Sequence, residues 1–181
     1  MYGSKSGASH LRRAMSLIGT LSMEIDGFST PSESVAKQIQ ESSIPFWIFS
    51  GSPHQVMDTH SPQVPMSLVK SPKRFLMICY SMESCLVQLG YPLVERYENK
   101  KEIFQLNLYT EKQETHWRNH RWYIPKTSFS RASGCGAKLL ASYRLEAMLV
   151  EYKNMLMVQF HPERTEDGLE FMRRWLKNEM F

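Results

Sequence analysis

What this chain lacks narrows its class before any motif is read. Nowhere do its apolar residues run to membrane-spanning length, and the polar opening MYGSKSGASH carries no apolar core of the secretory type. No membrane is expected as a partner. Cysteine is scarce. Cys79, Cys85 and Cys135 make neither an even disulfide framework nor a paired metal motif, which suits a reducing, cytoplasmic setting with free thiols. His54 and His60 lie in a polar loop without ligand spacing, and His116 and His120 have Arg118 and Arg121 beside them to oppose a cation. Neither a metal nor a cofactor is expected. The net charge of +4 is spread over scattered lysines and arginines with no basic arm, so nucleic acid is not expected either. The densest basic-aromatic patch, WRNHRWY at 117–123, reads as an active-site loop or a buried edge.

What is present is a single domain's worth of chain, 181 residues, enough to bury a core of two or three layers. Helical spacing marks 11–18, with Leu11, Met15 and Ile18 on one face, and a strand is expected at 22–28. TPSESVAKQIQE then opens a helix with Thr30 as its cap, Pro31 in its first turn and Glu33 closing a capping box. IPFWIFSG and RFLMIC are continuous apolar runs, as expected of strands buried on both faces. A Ser-, Pro- and His-rich loop joins them at 52–72. After Cys79, the residues Met82, Cys85, Leu86 and Leu89 recur at helical spacing until Gly90 stops the helix.

Strands follow. IFQLNLY puts Phe104, Leu106 and Leu108 on one face, while EAMLVEY and MLMVQF flank Lys153-Asn154 as a hairpin. The last helix carries Leu169, Met172 and Leu176 on its inner face. This order argues for an α/β fold, a three-layer sandwich whose mostly parallel, flavodoxin-like sheet carries antiparallel hairpin strands. Sites in such sheets form at the carboxyl ends of the strands. SGSP, Cys79 and VQFHPE all fall there.

A cysteine between strand and helix stands at the positive end of the helix dipole, a position that lowers thiol pKa. A thiol nucleophile needs a base and the base an orienting group. His161 and Glu163, two apart at a strand end, are expected to project to one side and supply both. The backbone amides of Tyr80 and Ser52 are the natural donors to an oxyanion.

In wording, SGSP (50–53), MICYSME (77–83) and MVQFHPE (157–163) resemble the SGGP, G-I-C-Y-G-M-Q and G-V-Q-F-H-P-E patterns of the class I (triad) glutamine amidotransferases, in the same order. Among subfamilies the likeness is greatest to the amidotransferase part of GMP synthetase. The resemblance implies that Cys79 attacks the side-chain amide of glutamine, that His161 is the base and Glu163 its partner, and that Gly51, Glu83 and His120 help hold the substrate. It also implies a synthase subunit that receives the ammonia. A γ-glutamyl hydrolase of the same fold, or an inert binding protein, stays open beside it.

Departures from the pattern carry their own expectations. Met77 and Ser81 replace the two glycines that flank the nucleophile, and Ser52 replaces the second glycine of SGGP. Met77 should therefore need new space at the elbow, and Ser52 should make an amide flip harder. Glu83 replaces a glutamine. His120-Arg121-Trp122 stands where an H-G-D-type loop carries an acid, and the usual opening strand is missing before MYGSKSG. Residues preceding this start, or a partner, are expected to complete that edge of the sheet.

Overall fold

A computed structural model describes residues 5–20, 32–108, 113–130 and 136–180. The fold is α/β. Its central sheet has the order β1-β2-β7-β6-β5, formed by Phe46–Phe49, Arg74–Ile78, Met155–Val158, Glu146–Tyr152 and Lys138–Tyr143. The β1–β2 and β2–β7 pairings are parallel, and the β7–β6 and β6–β5 pairings are antiparallel. A separate antiparallel ribbon joins β3 (Val94–Asn107) to β4 (Gln113–Tyr123).

Side-chain alternation along β2 explains the layers. Phe75 and Met77 enter one apolar cluster with Val35 and Ile39 of α2 (Ser32–Glu41) and Met82, Cys85 and Leu86 of α3 (Tyr80–Gln88). Leu76 and Ile78 enter the other, with Leu11 and Met15 of α1 (Lys5–Ile18) and Phe171, Met172 and Trp175 of α4 (Glu166–Lys177). Burial on both faces is what the continuous apolar run in β2 encodes. The expected hairpin at Lys153-Asn154 is also there. Asn154 donates its side-chain amide to the carbonyls of Leu68, Ser71 and Lys73, which ties the turn to the loop before β2.

Several local expectations shift. The last helix buries Met172 as expected, together with Phe171 and Trp175, while Leu169 and Leu176 are only partly covered. The patch at 117–123 is strand, part of β4, and Glu114, His116, Arg118 and His120 face inward from it. A hydrophobic period of two is hidden there because the buried face is charged. The expected strand at 22–28, its neighbours Thr30 and Pro31, and Cys135 lie outside the described residues. Among the described residues β1 is an outer strand of the sheet.

Candidate active site

Three chain ends meet above the sheet. β2 stops at Ile78, and Cys79 takes φ 53° and ψ −109° before α3 begins at Tyr80. A left-handed φ on a residue with a side chain is strained by about 1–3 kcal/mol and persists only where the surroundings fix it. Here the Cys79 amide donates to Val158 O at 2.7 Å, which continues the parallel ladder to β7 through the bend. Met77 does not spoil the elbow. Its side chain points away into the α2–α3 face and is fully buried. Ser81, at the second family glycine, donates its hydroxyl to Ser50 O at 2.7 Å and so pins the start of α3 to the end of β1.

Beside Cys79 lies Gly51. A Cβ placed there would stand 3.3 Å from His161 Cε1 and 3.8 Å from Cys79 Cβ, so a larger residue would crowd the imidazole, and the turn lies next to both side chains. Ser52, the proposed oxyanion donor, has a hydroxyl that accepts from His54 N at 3.0 Å. Its backbone lies outside the positive-φ region.

His161 Nδ1 is 2.8 Å from Glu163 Oε1. The pairing was expected from alternation along a strand, but β7 ends at Val158. Glu163 instead returns to the imidazole through a short 3-10 turn, Pro162–Arg164. That turn is braced by α4. A Cβ on Gly168 would fall 2.2 Å from Pro162 O, so glycine is needed for the close approach, and Thr165 Oγ1 caps the helix by accepting from Gly168 N at 3.1 Å. The His161 amide donates to Trp117 O at 2.8 Å, and the Trp117 ring meets the imidazole edge-to-face with centroids 5.1 Å apart.

Electrostatics at the thiol run against the helix-dipole expectation. Cys79 is only 8% exposed, and burial pushes its thiol well above the usual range. The charge of Glu83 pushes in the same direction, followed by that of Glu163, while the Tyr80 backbone amide and the Gln159 side chain pull the other way. Glu83 itself, buried in the first turn of α3, is pushed up to about 7 by desolvation. Burial first, and then the acid in the first turn of its helix, favour the protonated sulfur over the thiolate that the dipole alone would favour.

His120 is turned elsewhere. Its Nε2 lies 2.7 Å from Glu146 Oε2, and burial with the Arg118 and Arg96 charges pushes the imidazole down to about 3. It therefore stays neutral and donates to Glu146. The acid absent from His120-Arg121-Trp122 is thus supplied from β6. Glu146 is fully buried, and it also takes two bonds from Arg118 Nη1, at 3.0 and 2.9 Å, and pairs with Arg96. A cavity of about 400 Å³ opens on the far side of this cluster, lined by Arg96, Tyr123, Arg144 and Glu146 among others.

Sequence reasoning missed Gln159, Trp117 and Glu146. Gln159 stood inside VQFHPE, and its full burial was the only hint of its role. Among the described residues no cluster of histidine, cysteine and acidic side chains is arranged to hold a metal, and no helix is long and apolar enough to cross a membrane.

Comparison with known proteins bears on the family and the fold. A GMP synthase (glutamine-hydrolyzing) of Wigglesworthia glossinidia brevipalpis is 29% identical over 168 residues. That match takes in 78% of this chain but spans only 30% of the synthase. In structure, the chain is similar to a putative GMP synthase subunit of Thermoplasma acidophilum, with a TM-score of 0.68, 14% identity, and coverage of 97% of this chain and 91% of that one. It is also similar to the glutaminase domain of Trypanosoma brucei CTPS, with a TM-score of 0.64, 12% identity, and coverage of 94% and 86%. The family model for glutamine amidotransferase class-I matches residues 5–179, and the chain belongs to that family.

Proposed function

We propose that the protein is a cysteine-dependent glutaminase that supplies ammonia to a separate synthase subunit. The observation that carries the reading is the Cys79 elbow beside Gly51, whose Cβ position would touch both Cys79 and His161, with the imidazole held by Glu163. In this reading Cys79 Sγ attacks the amide carbon of glutamine while His161 takes its proton. The tetrahedral oxyanion is held by the amides of Ser52 and Tyr80. Its collapse breaks the C–N bond, and His161 returns the proton to the departing ammonia. Water then attacks the thioester with His161 again as base, which releases glutamate and restores the thiol. Gly51 lines the glutamine, Glu83 sits behind the nucleophile against Gln159, and His120 is turned away to Glu146.

A partner is part of the proposal because the synthase relatives are about three times longer than the matched stretch. Ammonia made here needs an acceptor site that this stretch does not contain.

One observation favours a second reading, an amidotransferase-like binding protein with an inert thiol: Cys79 is buried and its thiol is pushed up. Ammonia release from glutamine separates the two. Cys79→Ala and His161→Ala are each expected to lose at least about a hundredfold of the wild-type rate, the scale of losing a nucleophile or general base. A glutamine-like diazoketone should add once to wild type and not to Cys79→Ala by intact mass. Absence of both signals would leave the binding-protein reading. Turnover of other γ-glutamyl amides but not of glutamine would redirect the substrate to that class.

A further inference from the structure

Behind Cys79 lies a short buried chain of side chains. Gln159 Nε2 donates to Glu83 Oε1 at 2.8 Å and points at Cys79 Sγ from 3.9 Å. Gln159 is fully buried and Glu83 is 5% exposed. Glu83 is also tied to the nucleophile through the backbone, its amide donating to Cys79 O at 3.1 Å across the first turn of α3. A carboxylate in that turn opposes the partial positive charge that the helix start would otherwise offer a thiolate. It does so from a buried position, where screening is weak.

Resting on the glutaminase reading above, we infer that Glu83, held beside the nucleophile by Gln159, is a brake on Cys79: its ionised form keeps the thiol protonated, and neutralising it frees the sulfur to react. Of the other titratable groups around the sulfur, Glu163 pushes the thiol in the same direction but less strongly than Glu83, and the rest do not share the action. On α3, burial pushes the Tyr80 phenol up to about 12, and on β4 His120 is pushed down to about 3, so both stay neutral through the working range. In the turn after β7, Glu163 is hydrogen-bonded to His161, which faces the thiol from the other side. On β4 the nearest group is the neutral carbonyl of Asn119, 3.8 Å from Sγ. Glu83 is the carboxylate with only an amide for a side-chain partner, and its midpoint of about 7 puts its charge change near neutrality.

The test is the rate of iodoacetamide alkylation of Cys79 in the full chain, followed by peptide-resolved mass so that Cys85 and Cys135 are counted apart. Wild type, Glu83→Gln and Glu83→Asp are compared from about pH 5 to 9, two units either side of the Glu83 midpoint. Glu83→Gln should react about tenfold faster than wild type at the alkaline end, the scale of one unit in thiol pKa, and the two rates should converge at the acid end. Glu83→Asp, which keeps the charge, should keep the slow profile. A rate ratio that is the same at every pH would overturn the inference. Should Glu83→Gln not fold, the wild-type profile alone decides. Its logarithmic slope must fall below one as Glu83 ionises, and a uniform unit slope overturns the brake. Ammonia release is measured on the same preparations. A Glu83-dependent profile without glutamine turnover sinks the glutaminase reading and supports the brake, whereas turnover with a profile indifferent to Glu83 does the reverse.

Discussion

Glu146 and Glu83 are both carboxylates removed from water, and the protein surrounds them in opposite ways. Glu146, under the β3–β4 ribbon, meets Arg118, Arg96 and His120. Glu83, behind the thiol, meets one neutral amide. Burying a charge costs several kcal/mol unless partners replace its water. The first carboxylate is compensated, so its region holds a fixed charge network that joins β3, β4 and β6. The second is not, so its charge is held back until the pH rises. A buried acid placed without a cation beside the nucleophile is a poor structural element and a good control element.

The largest way to break this contrast is to remove a cation from the first region. Arg118→Ala should cost about 3–5 kcal/mol, because it leaves Glu146 buried without its two-bond partner. Urea denaturation reads it directly, and a loss near zero would mean that Arg96 and His120 suffice. Next in size is Glu83→Gln. The folded midpoint of about 7 lies above the ordinary value of 4.5, so the folded state binds the proton more tightly than the unfolded one. Stability therefore falls as pH rises between those two values and stays low above them. The variant should outlast wild type at pH 8 by up to about 3 kcal/mol and lose that advantage near pH 4. Equal pH profiles would place Glu83 in water, and the brake with it. The smallest effect sharpens the other side. His120 is pushed down to about 3 in the fold against an ordinary 6.5, so protonation favours the unfolded chain as pH falls through that window. His120→Gln keeps a donor for Glu146 and removes the titration. Wild type should lose about 1 kcal/mol more than the variant between pH 6.5 and 5.5. Matching losses would show His120 titrating normally.

The two regions also differed in how much of them could be read beforehand. On the nucleophile side the buried strands are apolar, so Phe75 to Ile78 and Met155 to Val158 announced themselves, and the elbow followed from where the run stopped. The ribbon side hides its pattern. Glu114, His116, Arg118 and His120 face inward from β4, and their polarity looks like that of a surface until partners from β3, β6 and α4 are in place. Arg174 of α4 pairs with Glu114, a partner sixty residues away that no local rule would join to it.

Periodicity and order were enough for the α/β layers, for the hairpin at Lys153-Asn154 and for Cys79, His161 and Glu163 as the reactive candidates. Each follows from local geometry: alternation along a strand, spacing along a helix, the junction between them. Charge state was beyond its reach. A cysteine at the start of a helix should be acidic by position alone, and it is the tertiary packing, which buries the thiol and sets Glu83 beside it in the same turn, that reverses that expectation. The sign of a pKa shift depends on what water is excluded and which charges stand within a few ångströms, and those are distances across the fold rather than along the chain.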